Sequence, residues 1–326
     1  MPDLFSQGYF SKLSRAGYAF LGPSRHSAVK ACLWCKKSIL GGSACYKNKF
    51  YGIDSWRCLQ LSVSMQFCDF KCVHCWRDNE FAKEWQGPAD DPKVIMNEAV
   101  AAQRKLLNGF PGNPKTDAKK WKEAQEPKHV AISLMGEGTL YPKLPELIRE
   151  IRGRGMTSFL VSNGAHPEIL ERLADEDALP TQLYLSLTFF DEKSFRKVCG
   201  SAEGYEKFLE SLGVMDSVRG KARTALRMTF AKGLNLSNAG DYAELIRLSG
   251  ADYVEAKAWM ALGSSRERLG IGAMPSHEEI KEFASELVGE CGYTAADEHV
   301  PSRVVLLCQD GKALKTRFIK HAEGLE

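Results

Sequence analysis

No apolar run in the sequence reaches the roughly 20 residues that a bilayer-spanning helix needs. The start, "MPDLFSQGYFSKLSRAGYAF", lacks the basic opening and unbroken apolar core of a secretory signal. Both absences lead us to expect a soluble, cytoplasmic protein without a membrane partner. An excess of one charge is missing too: 44 Lys and Arg stand against 41 Asp and Glu, a formal net charge of +3. Overall charge therefore demands no nucleic-acid partner. Only local basic stretches, at 115–129, 152–155 and 219–227, offer one a footing. No low-complexity linker, internal repeat or compositional break divides the 326 residues, and 44% hydrophobic with 26% charged residues is ordinary globular composition. Cysteine is nearly absent beyond residue 75, where only Cys199, Cys291 and Cys308 occur.

What is present is correspondingly concentrated. Seven of the ten cysteines lie between Cys32 and Cys75. A secreted disulfide scaffold would be shorter and would spread its cysteines along the chain, so this crowding argues for metal.

From residue 58 onward, strand-like apolar runs alternate with helix-like patterns. The runs lie at 58–67, 129–135, 157–163, 182–190, 222–231 and 251–260. Helical patterns lie at 91–107, which opens on Asp-Pro, and in "LPELIREIRGRG", "HPEILERLAD", "SNAGDYAELIRLSG" and "SHEEIKEFASELVG". Six strands alternating with helices predict an α/β fold of parallel βα units, a partial (β/α)6 barrel, with an open doubly wound sheet as the alternative. Residues 1–57 read as an N-terminal extension bearing cysteines and 58–274 as the barrel core. Residues 275–326 read as a C-terminal helix and final strand, "SRVVLLC", packed on the barrel. In either architecture the chemistry belongs at the C-terminal strand ends. The unusual motifs fall there: a cysteine triplet after the first strand, "GEGT" after the second, "SNG" at the third and "SLTFFD" at the fourth.

The triplet is Cys68, Cys72 and Cys75, C-x3-C-x2-C. Structural zinc needs four ligands, and His74 could complete the set only by bending back beside its neighbour Cys75. A 4Fe–4S cubane has four irons, so three thiolates leave one iron open. This arrangement resembles the radical S-adenosylmethionine (SAM) enzymes, where the open iron is chelated by the methionine end of SAM and reductive cleavage releases a 5′-deoxyadenosyl radical. The resemblance assigns "SLMGEGTLYP", with Gly136 and Glu137, to the strand end that receives the amino group of SAM. Met135 and Gly138 depart there from the commoner residues. Ser162 and Asn163 suit ribose or carboxylate oxygens, and Ser186 and Thr188 share one strand face by period-two alternation.

Upstream, Cys32, Cys45 and Cys58 are evenly spaced, and Cys35 forms a C-x2-C pair with Cys32. On ligand count alone, these four would also serve a zinc knuckle. The surrounding words are more specific: "RHSAVKACLWCKKS", "CYKNKFYGI", "RCLQLSVSMQFCDFKCVHCWRD", "VEAKAWMALGSSRERL", "MPSHEEIKEFA" and "DEHVPSRVVLL" closely resemble the archaeal tRNA 4-demethylwyosine synthases over nearly the whole chain. That resemblance implies a second three-thiolate 4Fe–4S cluster on Cys32, Cys45 and Cys58, with Cys35 a packed thiol. It implies a carbon–carbon lyase that joins N1-methylguanosine beside the anticodon of tRNA-Phe to two carbons of pyruvate. A pyruvate-binding lysine would be Lys47, or second Lys49; an extended "CYKNKF" would put both on one side. Phosphate contacts would come from Arg77, Lys119, Lys120 and Lys122, the last three in a segment expected to reach over the barrel mouth. Trp76 and Trp259 would stack on the target base. No flavodoxin-like segment occurs, so the resemblance implies a separate electron donor such as flavodoxin or ferredoxin. The protein is expected to act as a monomer. Competing readings are a radical SAM activase or oxidoreductase with another substrate, a zinc-bearing RNA-binding module, and a two-cluster electron carrier.

Overall fold

The computed structural model describes residues 6–78 and 81–309. Its centre is one sheet of ten strands: β1 (Ala19–Leu21), β2 (Ser27–Val29), β3 (Cys58–Ser62), β4 (His129–Ile132), β5 (Thr157–Ser162), β6 (Gln182–Ser186), β7 (Arg223–Phe230), β8 (Tyr253–Ala258), β9 (Thr294–His299) and β10 (Val304–Cys308). Strands β3 to β8 are consecutive and parallel, as the six apolar runs predict. The β1–β2 hairpin continues the sheet antiparallel to β3, and β10 with β9 continues it antiparallel to β8. The sheet curves as a partial barrel. The expected strands overran their C-terminal ends, because the chain turns into site loops there. Strand β9, "TAADEH", has too little apolar alternation to be foreseen.

The helices are α1 (Gln7–Arg15), α2 (Leu33–Ile39), α3 (Tyr46–Tyr51), α4 (Pro92–Leu107), α5 (Ala118–Ala124), α6 (Leu144–Gly153), α7 (Pro167–Asp175), α8 (Glu192–Cys199), α9 (Tyr205–Ser217), α10 (Ala239–Ser249), α11 (Ser265–Leu269) and α12 (His277–Cys291). The first three belong to the N-terminal region, and α4, α6 to α10 and α12 pack on the convex side. Their ends obey local chemistry. Asp91 caps α4 by accepting from the Lys93 amide, and Ser276 and Glu279 form a capping box on α12.

Parallel strands buried on both faces separate two cores by alternation. Leu59, Leu61, Val130, Ile132, Leu160, Leu183, Leu226 and Val254 pack outward under the helices. Ala131, Phe159, Tyr184, Ala225 and Tyr253 face the concave side. That concavity is filled by α3, whose Tyr46, Phe50 and Tyr51 pack against these residues. Tyr46 and Phe50 are one helical turn apart, with ring centroids 5.5 Å from each other. The N-terminal region thus inserts a helix, with Cys45 at its N-cap, into the interior of the barrel.

Candidate active site

Cys68, Cys72 and Cys75 occupy the loop after β3, each partly exposed. The loop is pinned from several sides: the Cys68 amide donates to Ala82 O (2.9 Å), and those of Lys71 and Val73 donate to Cys199 O and Val198 O (both 2.9 Å). Arg268, in α11, donates to the carbonyls of Val73 (3.1 Å), Cys75 and Arg77. Burial pushes the Cys68 thiol well up and Cys75 to about 11; the Cys199 side chain, with burial, does the same to Cys72. Thiols so placed ionise only when a metal takes the proton's place. Burial and the Arg268 charge push His74 down to about 4. Its buried Nδ1 has no hydrogen-bond partner among the described residues.

Among the described residues, no three His, Cys, Asp or Glu side chains converge as a single metal ion requires. Four thiolates on zinc would stand about 3.8 Å apart, from Zn–S bonds of about 2.3 Å. Three thiols spread around one loop suit a cubane, whose ligands sit on separate irons.

Beside this loop, Gly136 adopts φ +75°, and a Cβ there would fall 1.8 Å from Ser64 O. The Glu137 amide donates to Phe67 O (2.8 Å), binding this turn to the cysteine loop. The Glu137 carboxylate is buried and accepts from Thr139 Oγ1 (2.8 Å) and the Asn163 amide (2.7 Å). Burial raises its pKa, while the Thr139 and Asn163 amides pull it down. Ser162 Oγ accepts from the Gly164 amide (3.0 Å), a turn-forming role. Asn163 donates to Asp69 (3.2 Å), and Asp69 also meets His166 (2.9 Å). His166 was not foreseen; "NGAHP" reads as a helix entry, and nothing local marks its partner 97 residues away.

The upstream cysteines surround the base of α3. Cys45 is its N-cap residue, and the Cys45 amide donates to Ser55 Oγ (2.9 Å). Burial and the Cys32 thiol raise Cys45 to about 11 and push Cys58 up further, while Lys47 opposes both. Cys35 lies next to the trio, in the core that Cys32 also packs against. Fully buried, it donates to Trp56 O (3.4 Å) within the α2–α5 core, and burial lifts it to about 12.

Lys47 and Lys49 part company here. The expectation that both share one side of an extended segment fails because the segment is helical: residues two apart on a helix point roughly 200° apart. Lys47 is 8% exposed and turns inward, its Nζ 4.9 Å from the Phe159 ring centroid and 4.7 Å from that of Tyr184. Burial, then the Arg227 charge, lowers its pKa, against the pull of Glu255. Lys49 turns outward to Asp297 (2.6 Å) and Glu298 O (2.6 Å).

Below Lys47 lies a buried polar network. Glu255 accepts from Tyr51 Oη (2.6 Å), Tyr46 Oη (2.9 Å) and Arg227 Nε (3.1 Å), and Arg227 Nη2 also donates to Tyr46 Oη (2.6 Å). Despite burial, Arg227 and Lys47 hold Glu255 below the usual carboxylate range. Lys257, two residues on along β8, donates to Ser302 O (2.7 Å), and burial with the Arg227 charge brings it down to about 8. Arg227, Glu255 and Lys257 were not singled out from sequence. Their signal was present: charges at alternate positions of otherwise apolar strands, "ALRMTF" and "YVEAKA".

A cavity of about 430 Å³ runs from the downstream cysteine loop to Arg227 and Lys257; Lys47 and the upstream cysteines do not line it. Cys72, Cys75, Asn163, Ser186, Thr188 and Trp76 line it, so the fourth-strand pair and one tryptophan lie where expected. Trp259 also lines it but is 2% exposed and donates from Nε1 to His74 O and Ser265 Oγ (both 3.2 Å), which makes it wall rather than open platform. Trp76 is 38% exposed. Arg77 is buried, donates from Nε to Leu134 O (3.1 Å), and burial lowers it to about 8; it is committed inside the protein, not to solvent phosphates. Lys119, Lys120 and Lys122 lie on α5, which packs on α2 and the turn before β3. They therefore sit toward the N-terminal strand ends, not over the mouth. The reason is Trp121 and Trp56, which anchor α5 through Leu107 O (3.0 Å) and Glu123 (2.7 Å).

Known proteins match this architecture along its length. Family models for the radical SAM superfamily and for wyosine base formation match residues 62–246 and 248–309. The S-adenosyl-L-methionine-dependent tRNA 4-demethylwyosine synthase of Pyrococcus abyssi is 47% identical over 91% of this chain and 89% of its own length. A solved structure of TYW1 with a lysine–pyruvate adduct bound superposes with TM-score 0.84 at 34% identity, covering 95% of this chain and 98% of that one. The crystal structure of archaeal TYW1 gives 0.76 at 32% identity over 94% and 98%. On these grounds the chain belongs to the tRNA 4-demethylwyosine synthase family of radical SAM enzymes.

Proposed function

We propose that this protein condenses N1-methylguanosine of tRNA-Phe with two carbons of pyruvate to form 4-demethylwyosine, using a cluster on each cysteine trio. The carrying observation is Lys47, a buried amine on the helix that Cys45 caps, whose charge neighbour Arg227 lines the cavity that Cys72 and Cys75 also line. Three thiols at Cys68, Cys72 and Cys75 would hold one 4Fe–4S cluster, and Cys32, Cys45 and Cys58 the second. When bound, the first would supply the electron that cleaves SAM to an adenosyl radical.

The chain's own residues do the rest. Lys47 Nζ attacks the pyruvate carbonyl carbon, and loss of water leaves a Schiff base. A relative carries a lysine–pyruvate adduct, and Lys47 is the matching kind of amine: buried, beside a cysteine trio, with aromatic walls that exclude water. The turn at Glu137, with Asn163, Ser186 and Thr188, would hold SAM; the last three line the cavity beside the downstream cysteines. Trp76 stacks on the extruded base, and Trp259 and Arg77 fix the wall behind it. Lys119 and Lys122, exposed on α5, serve phosphates of the tRNA beyond the target base, with Lys120 partly held by Asp117. A separate low-potential donor such as flavodoxin or ferredoxin reduces the enzyme, which works as a cytoplasmic monomer.

The test is anaerobic reconstitution with iron and sulfide, then incubation with reductant, SAM, pyruvate and tRNA-Phe carrying N1-methylguanosine. Nucleoside mass spectrometry should find 4-demethylwyosine only when pyruvate is present. SAM cleavage without any modified nucleoside would leave a radical SAM enzyme of another substrate.

A further inference from the structure

The cavity lining contains two cationic side chains, Arg227 and Lys257, and no carboxylate. The nearest acid, Glu255, lies behind them on β8 and is already shared among Tyr46, Tyr51 and Arg227. One buried carboxylate therefore faces the positive groups of Arg227 and Lys257, with Lys47 close enough to influence it as well. On the cavity side no carboxylate faces Arg227 and Lys257, so an anion that enters the cavity meets both cations. Both side chains keep donors for one. Arg227 uses Nε and Nη2 on Glu255 and Tyr46, and Nη1 has no hydrogen bond among the described residues. Lys257 gives one N–H to Ser302 O, with two more available.

Position decides which anion. The Lys47 Nζ and the Arg227 guanidinium carbon lie 4.7 Å and 4.6 Å from the centroid of the same ring, Tyr184. Tyr46, the residue before Lys47, is also hydrogen-bonded to Arg227 (2.6 Å). A 2-oxo acid joined to Lys47 through its carbonyl carbon carries its carboxylate on the adjacent atom, in the part of the interior where the Arg227 charge already acts on Lys47. Register then adds Lys257: Arg227 faces Glu255 and Thr229 faces Lys257 across the β7–β8 pair, so the two cations are diagonal neighbours on one face.

We propose that Arg227, with Lys257 beside it, binds the carboxylate of the 2-oxo acid held on Lys47, and that this contact selects a 2-oxo acid over an uncharged ketone or aldehyde. This rests on the Lys47–pyruvate reading above. The Arg227 fork suits bidentate carboxylate recognition, and Lys257 adds a point charge.

The test reads adduct mass, not turnover. Reconstituted holoenzyme is incubated with pyruvate or with pyruvamide, its uncharged counterpart, then reduced with borohydride and weighed intact. In the unsubstituted protein the half-saturating concentration for pyruvamide should exceed that for pyruvate by about tenfold or more, the loss expected for a charge-assisted contact. Arg227→Gln combined with Glu255→Gln removes the cation without stranding a buried carboxylate. This pair should still trap pyruvate at high concentration, with the preference reduced to near one. Equal half-saturation of the two ligands in the unsubstituted protein overturns the proposal without any variant. A preference that survives the double substitution also overturns it. Absence of any adduct with pyruvate in the unsubstituted protein removes the Lys47 reading, and this proposal with it.

Discussion

Asp69 in the downstream cysteine loop and His166 in the turn between β5 and α7 are joined side chain to side chain at 2.9 Å. The other ring nitrogen of His166 meets Glu168 at 3.0 Å, and Asp69 also accepts from Asn163 (3.2 Å). Burial works against the imidazolium, yet the Asp69 and Glu168 bonds outweigh it and bring His166 up to about 9. A histidine raised above its unfolded value stabilises the fold fully below about pH 6.5 and loses that contribution as pH climbs through about 9. His166→Gln should therefore lower the melting temperature clearly at pH 6 and hardly at all at pH 10. A gap that stays constant across this range would mean that the ring acts by packing alone.

Lys47 and Lys49 should behave as opposites. Lys47→Ala should abolish the borohydride-trapped pyruvate adduct while iron and sulfide content stay unchanged. Lys49→Ala removes a half-exposed pair with Asp297, of the kind worth about 0–1 kcal/mol, and a surface bond to Glu298 O, so adduct yield should stay within about twofold. Full trapping in Lys47→Ala would transfer the role to Lys257, the other buried amine of this interior.

The contrast between these two lysines also marks what the sequence could tell. Strands β3 to β8 were legible because period-two burial writes itself into composition, and the radical SAM loop because C-x3-C-x2-C is a fixed spacing. Helix α3 was not legible. "CYKNKFY" is too short for a periodic signal, and its helical form depends on an aromatic face that finds partners only once the barrel exists. The side chains that α3 brings near Arg227 and Glu255 come from about 200 residues away in sequence. Likewise Arg77 reads as a surface cation until Leu134 O, in another loop, is seen to accept from it. Local pattern determined the frame; long-range closure determined which charged residues point inward.

Gly136 sits where the turn after β4 and the cysteine loop meet. Its φ of +75° costs an ordinary residue about 1–2 kcal/mol, and the added Cβ would press on Ser64 O at 1.8 Å, a backbone atom that cannot swing aside. Gly136→Ala should lower the unfolding free energy by more than about 2 kcal/mol in denaturant titration. It should also sharply reduce reductive SAM cleavage, because the Glu137 amide would lose its hold on Phe67 O. Unchanged SAM cleavage would show that this turn tolerates displacement.

Cys35 and Cys45 separate a three-thiol site from a four-thiol one. Cys35 is sealed in the α2–α5 core, receives a long contact from Gln103 Nε2 (3.9 Å), and gives its own proton to Trp56 O. Raised to about 12 by burial, it is a poor source of thiolate where it stands. Cys45→Ala should therefore cost about half the bound iron of reconstituted protein, all of it from the upstream trio. Cys35→Ala should leave iron and sulfide unchanged and cost stability alone, about 1–2 kcal/mol for a small buried side chain shortened by its sulfur. If Cys35→Ala instead emptied the upstream site of iron, the fourth thiol would be a ligand, the cluster would have no open corner there, and pyruvate would have to be held by Lys47 and its cationic neighbours without an iron beside them.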